Sequence, residues 1–372
     1  MSTKREIAVI DSGIEDIIKR AQQRFQQKLS ILKLWKSSLR SLPSLPPDPW
    51  IEKKLATRLP LPRVSEYSTI AAVDGGILAE ELRGFDVLIA RAIVVTYTGV
   101  GKQVQVDYFP SFDPQSEVVI KESFESRTDF SQYSTLLRLK HEYSVSLEKL
   151  EIDPPDVLFI DGSVAPLFSD LSLNSDFPDL LQMLETVKST YRKLVRTAEE
   201  KGTVLLGIVK DSRSRELTRH LTSSARKWKG FHSPGSIDDL TDTELMNGLL
   251  EEGERSSWFR SKIPLSLKSS SSIWVCYARP ILSDDPVRLE VITFPWKDFS
   301  DRLDSALQVF YILCQHGLPI ALPTNLQEAD RQVKLKRRVS EEFVEELSLY
   351  FGIPVERLRK RRTFDSSFLH FT

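Results

Sequence analysis

Thr69-Ile-Ala-Ala-Val-Asp-Gly-Gly76 is a short apolar run closed by an acid and two glycines, and Asp156-Val-Leu-Phe-Ile-Asp-Gly-Ser163 repeats the arrangement later in the chain. Runs this short and this apolar predict strands covered on both faces. Asp-Gly after each run is the composition of a tight turn. The pattern therefore predicts strands over 69–73 and 156–160, with Asp74 and Asp161 at their carboxyl ends. In open α/β sheets that is where ligands bind.

Working outward, DVLIARAIVVTY (86–97) is a β-branched strand. KQVQVDYF (102–109) alternates polar and apolar, as a half-exposed antiparallel strand does. With 69–73 these make a meander. A helix over 133–152 follows, its buried stripe Leu136, Leu139, Tyr143, Leu147 and Leu150. Pro154-Pro155 ends it. A second helix spans 180–201, and TVLLGIV (203–209) is another buried strand, ending at Lys210-Asp211-Ser212. The order β-β-β-α-β-α-β predicts an α/β fold, a mixed sheet with helices on both sides. Strands resume over 273–279 and 288–294, and helices over 298–316 and 326–350 close the pattern. Before the meander, residues 12–41 read as an amphipathic helix, and SLPSLPPDPW (41–50) stops it. Residues 1–68 are thus expected to be a helical arm with a Pro-rich linker and 69–350 the main domain. Within the latter, the polar, mixed stretch 216–268 is expected to be an insertion. Residues 351–372 make a basic tail.

The chain has 372 residues, 41% hydrophobic and 28% charged. That balance excludes wholesale disorder and a coiled-coil rod. The formal charge of −1 excludes a uniformly basic coat protein for nucleic acid but not a local basic channel. Cys276 and Cys314 lie in apolar stretches and are expected to be buried core thiols. Two distant thiols build neither a disulfide framework nor a cysteine zinc site. No run of 18 apolar residues occurs and the N-terminus does not read as a signal peptide, so no membrane partner and a cytoplasmic location are expected.

Asp74 and Asp161, brought together at one sheet rim, repel one another, and divalent cations offset such repulsion. A third acid is expected from the helix between their strands. Glu142 lies on that helix's shoulder, where it can point past the sheet edge, while Glu148 and Glu151 read as solvent-facing. Hard oxygen ligands without a His/Cys cluster favour Mg²⁺ or Mn²⁺ over zinc. Acids ordered strand, helix, strand suit two-metal phosphodiester hydrolysis. Lys210 is placed to hold a scissile phosphate or stabilise developing charge. Basic charge is also local: seven Lys/Arg against two acids over 210–229, five with no acid over 331–338, and five more over 357–362. Arg213, Arg215, Arg219, Lys227 and Lys229 are the candidate nucleic-acid contacts, with Trp228 and Phe231 as stacking platforms.

Ala-Val-Asp74-Gly-Gly, Phe-Ile-Asp161-Gly-Ser and Gly-Ile-Val-Lys210-Asp-Ser, in this order and spacing, resemble the NurA nuclease family. Thr241-Asp242-Thr-Glu-Leu245 and Gly253-Glu-Arg-Ser256 add to the likeness, which spans about residues 70 to 330. The resemblance implies an RNase H-like core and metal-dependent cleavage of DNA. It also implies a 5′-to-3′ exonuclease, often with single-strand endonuclease activity, with Mn²⁺ preferred. It further implies a homodimer and a hexameric HerA-type ATPase as partner in resecting DNA ends. Asp74 and Asp161 match the family's first and third acidic ligands, and Glu142 matches its helix glutamate by position. The C-terminal site departs from the family pattern. Leu318 replaces the tyrosine of Gly-Tyr-Pro, and Ala329-Asp330 stands where Ala-His is usual. Asp330, or Glu328 beside it, is expected to complete a second metal site, and His316 to be structural. The alternative is a catalytically weak NurA-like scaffold that guides DNA into a translocase. An unrelated nucleotide-binding module is weakened by the lack of a P-loop or dinucleotide-binding glycine signature.

Overall fold

The computed structural model describes residues 2–41, 44–45, 52–60, 69–99, 104–124, 126–165, 177–225, 235–262, 272–317 and 319–359. It opens with α1 (Ser2–Arg40) and β1 (Ala56–Arg58). The meander is β2 (Thr69–Glu81), β3 (Phe85–Thr98), β4 (Gln105–Phe109) and β5 (Glu117–Glu122). Alternating elements follow: α2 (Arg127–Ile152), β6 (Val157–Asp161), α3 (Pro178–Lys201) and β7 (Val204–Val209). Next come α4 (Glu216–Ala225), α5 (Asp242–Leu249), β8 (Glu254–Ser256), β9 (Phe259–Arg260), β10 (Ile273–Arg279) and β11 (Val287–Ile292). Four helices close the described chain: α6 (Phe299–Gln315), α7 (Thr324–Val333), α8 (Arg337–Phe351) and α9 (Val355–Leu358).

Among the described residues eleven strands form one sheet, ordered β1-β8-β10-β11-β7-β6-β2-β3-β4, with β5 also on β3 and β9 on β10. The centre, β7-β6-β2, is parallel. Alternating residues there feed two cores. Ile70, Ala72, Phe159 and Leu206 pack with Leu303 and Phe310 of α6 and Leu326 of α7. Ala71, Val73, Leu158 and Leu205 pack with Leu136 and Leu137 of α2 and Leu184 of α3. Cover on both faces explains why these strands carry no polar alternation. Burying Phe159 and Phe310 completely contributes roughly 2–3 kcal/mol each. Cys276 and Cys314 are buried thiols, as expected.

Four expectations change. Asp74-Gly75-Gly76 is not a turn: β2 runs on to Glu81, paired with β3 throughout, with Asp74 opposite Ile93 and Gly76 opposite Arg91. The glycines serve close approach instead. A Cβ on Gly75 would stand 2.6 Å from Glu142 Oε1, and one on Gly76 would stand 2.0 Å from the Val333 carbonyl oxygen. The helix expected over 326–350 is two, α7 and α8, separated at 334–336. Arg91 ends the first of them, its guanidinium donating to the carbonyls of Gln332 at 2.6 Å and Val333 at 3.2 Å, which have no helical partners. β5, unforeseen, adds an edge segment on β3. The described parts of 216–268 are less peripheral than their polarity suggests. β8 joins β1 to β10, and Leu245, Met246 and Phe259 are buried. One of the polar residues there is a cap: Asp242 accepts from the backbone N–H groups of Leu217 and Thr218 at the start of α4. Among the described residues no helix is long and apolar enough to cross a membrane.

Gly76→Ala drives a methyl group into backbone rather than into a movable side chain, so α7 must shift off β2. We expect a loss of about 3 kcal/mol and a lower melting temperature. Thermal denaturation checks this, and an unchanged melting temperature would mean that α7 does not rest on Gly76.

Candidate active site

Asp74 and Asp161 stand side by side. The β2–β6 register ends with Val73 opposite Ile160, and the two aspartates are the next residues along. Both keep phase with Ala72 and Phe159, on the face covered by α6 and α7. Asp161 lies opposite Ile208 of β7, and Lys210 follows two residues on. Its Nζ is 3.1 Å from Asp161 Oδ1. Glu142 arrives from the opposite face, on α2, whose first turn is capped by Ser126. It is 2% exposed and occupies the space that Gly75 leaves empty. It therefore does not point past the sheet edge as a shoulder residue; the missing Cβ lets it reach across the strand. The Gly75 N–H donates to Asp74 Oδ1 at 2.7 Å and also to Glu142. Asp330, exposed on α7, is near enough for its charge to bear on Asp74.

Of the two C-terminal alternatives, only Asp330 belongs to this group. Glu328 accepts from Tyr108 Oη at 3.0 Å, Arg331 Nη2 at 2.7 Å and Gln332 Nε2 at 2.7 Å, and the Arg331 bond holds its pKa low. His316 is exposed at the end of α6, and Leu318 lies outside the described residues. Glu148 and Glu151 face solvent as expected.

Burial, then the charges of Asp161 and Asp330, pushes the Asp74 carboxyl up from 3.8 to about 7, against the Gly75 N–H and Arg138. Burial pushes Glu142 up from 4.5 to about 8, with Arg138 opposing and Asp74 and Asp161 adding to the rise. Arg138, one helical turn before Glu142, donates from Nη1 to Glu142 Oε1 at 2.6 Å. Sequence reasoning missed it; its signal was a cation four residues before the chosen acid. Four carboxylates thus face two cations, Arg138 and Lys210. Carboxylate oxygens short of positive charge fit a hard divalent cation in number and kind. Among the described residues no three His, Cys, Asp or Glu side chains are placed to hold a metal ion as they stand. Asp74, Glu142 and Asp161 instead lean on the Gly75 amide, Arg138 and Lys210.

A cleft of about 900 Å³ opens beyond β6 and β7, lined by Ser163, Asp211, Arg213, Arg215, Arg219 and Lys262, among others. The three predicted arginines therefore share it, close in the chain to Asp161 and Lys210. Lys262 is a basic residue the sequence reading did not single out. Lys227, Lys229, Trp228 and Phe231 lie outside the described residues. Buried Arg288 and Glu290 of β11 form the floor, paired at 2.6 Å, and Glu290 accepts from Ser163 Oγ. In the basic run 331–338 the three arginines have partners of their own, while Lys334 and Lys336 are exposed. Arg331, Arg337 and Arg338 pair with Glu328, Glu341 and Glu342 along their own helices. The Thr241–Leu245 motif is structural: Thr241 and Glu244 form a capping box, and Asp242 holds the start of α4, which carries Arg219.

The chain matches the NurA domain family over residues 68–335. Among solved structures it is similar to the NurA nuclease from Sulfolobus solfataricus, at 15% identity and a TM-score of 0.61, over 91% of this chain and 97% of that one. It is also similar to a NurA bound to dAMP and manganese, at 12% identity and a TM-score of 0.50, over 93% and 98%. At these identities the likeness is one of fold, and it agrees with the mixed sheet flanked by helices that the sequence pattern predicted. No curated protein matches the chain in sequence.

The Asp74 carboxyl holds its proton more tightly folded than unfolded. Its contribution to stability is whole below 3.8, falls as pH climbs, and is lost above about 7. A rise of this size corresponds to roughly 4 kcal/mol. In EDTA, Asp74→Asn is therefore expected to match wild type near about pH 4 and to exceed it by a few kcal/mol near about pH 9. Denaturant melts at the two pH values check this; a gain that does not grow with pH refutes the charge cluster.

Proposed function

The chain belongs to the NurA domain family of nucleases, and from that premise we propose that its carboxylate centre hydrolyses DNA phosphodiester bonds with Mn²⁺ or Mg²⁺. Asp74, Asp161, Glu142 and Asp330 would hold the metal, two ions in all. Bound there, such ions activate the attacking water and stabilise the leaving oxygen. The observation that carries this reading is the adjacency of Asp74 and Asp161 at the centre of the sheet, with Glu142 joining them past Gly75.

The remaining roles belong to the chain's own cations. Lys210, partly exposed beside Asp161, orients that carboxylate and faces an incoming phosphate with its free N–H bonds. Arg213, Arg215 and Arg219 line the adjoining cleft and suit a sugar–phosphate backbone; Lys227 and Lys229 extend the same basic run in sequence. We assign the nuclease domain to residues 69–350, with 1–68 as an arm and 351–372 as a tail. Exposed Ile17, Ile18 and Phe25 on α1 favour a protein-facing role for that arm. Family resemblance supports the finer proposals: a 5′-to-3′ exonuclease with single-strand endonuclease activity, a homodimer, and end resection with a HerA-type hexameric ATPase.

End-labelled single- and double-stranded DNA, incubated with Mn²⁺, Mg²⁺ or EDTA, tests the reading. Wild type is expected to release product only with metal. Asp74→Asn and Asp161→Asn are expected to lose at least about a thousandfold in rate while still binding DNA. Wild-type binding without cleavage would favour the catalytically weak scaffold instead. Lys210→Ala is expected to lower turnover by about a hundredfold and DNA affinity much less. Equal losses would reduce Lys210 to a phosphate clamp.

A further inference from the structure

Arg138 is a feature of the carboxylate centre that metal ligation alone does not require. It stands four residues before Glu142 on α2, and the two form a part-buried ion pair at 2.6 Å. An arginine placed before a glutamate on a helix is the less favourable order for such a pair. Removing both groups from water also costs free energy that Coulomb attraction offsets only with good geometry. Local helix stability is therefore a poor reason for this contact. Its surroundings supply a better one. Arg138 interacts with Asp74 and Asp161 as well as with Glu142. The bare Gly75 accommodates both side chains, since a Cβ there would lie 3.1 Å from Arg138 Cγ and 2.7 Å from Glu142 Cγ.

A guanidinium cannot shed its proton in a protein, so Arg138 is a permanent positive charge inside the cluster. It engages Oε1, one of the two Glu142 oxygens open to a hard cation. Two cations on one carboxylate repel, and each ångström of closeness in a partly desolvated site strengthens the effect. Resting on the metal-centre reading above, we propose that Arg138 is a built-in counter-cation that competes with the divalent ion for Glu142. It keeps the carboxylates assembled until the ion displaces it. The fold thus holds its acids together without depending on metal, and metal affinity is set below the most the donor set could give.

Mn²⁺ binding to the full chain tests this, measured by calorimetry or by the paramagnetic signal of free Mn²⁺. Wild type and variants are compared at one pH, and proton release is read from the dependence of the binding heat on the buffer, because losing Arg138 removes the cation that opposes the rise of the Glu142 carboxyl. Arg138→Gln is expected to bind Mn²⁺ at least about tenfold more tightly than wild type, and Arg138→Lys, which keeps the charge, about as wild type does. In EDTA, Arg138→Gln melts below wild type, and Mn²⁺ raises its melting temperature by more than it raises that of wild type. If the variant is unfolded in EDTA, Mn²⁺ must refold it. Binding in Arg138→Gln that is no tighter than in a wild type that does bind, or a variant that Mn²⁺ cannot refold, overturns the role of Arg138 alone. So does weakened DNA binding with unchanged Mn²⁺ affinity, which would make Arg138 a phosphate contact. Absence of Mn²⁺ binding in wild type as well overturns the metal centre and this proposal together.

Discussion

Carboxylates that share a desolvated site repel one another, and the architecture of this protein is arranged to hold several together in spite of that. Asp74 and Asp161 are locked side by side by a parallel register that the two cores fix from both faces. A one-residue slip would turn every alternating side chain to the wrong core. The register, and with it the aspartate pair, is therefore backed by burial across the whole centre of the sheet. Burial is also what raises the Asp74 and Glu142 carboxyls so far. The same packing that brings the acids together makes their charge expensive, so they depend on cations nearby.

Two adjacent glycines link that electrostatic demand to the rest of the fold. Gly75 faces α2 and admits Glu142 with its arginine; Gly76 faces the other way and admits the end of α7. Arg91, opposite Gly76 in the next strand, then binds the helix-end carbonyls and keeps Asp330 within range of Asp74. Elements far apart in sequence thus meet at one short stretch of β2. Side chains on either glycine would separate layers that the site needs in contact.

The cleft beside the centre follows from a second buried network. Arg288 and Glu290 on β11 reach the turn after Asp161 through Ser163. Arg288 also contacts Ser214 Oγ, just before α4, and Tyr277 Oη. Tyr277 in turn donates to Asp242, which caps α4. Fully partnered polar groups of this kind rigidify what they connect. The arginines along the cleft therefore extend from a stiff floor next to Asp161 and Lys210.

The sequence by itself determined the alternation of buried strands and helices from 69 to 209 and the pairing of two strand-borne aspartates. It also pointed to the helix that supplies the third acid and to the basic stretch that begins at Lys210. Those features are local: apolar runs, helical stripes and charge density are readable one window at a time. Tertiary structure alone decided that Asp74-Gly75-Gly76 continues a strand rather than turning, because the reason for each glycine is an atom far away in the chain, on Glu142 or Val333. It alone separated Asp330 from Glu328, since two acids two residues apart on a helix point in different directions and only their neighbours tell which way. It alone joined Arg138 to the cluster and bound the 331–338 arginines to helix glutamates. Charge is written in the sequence, but its effect depends on distance and dielectric, and only the packed chain sets those.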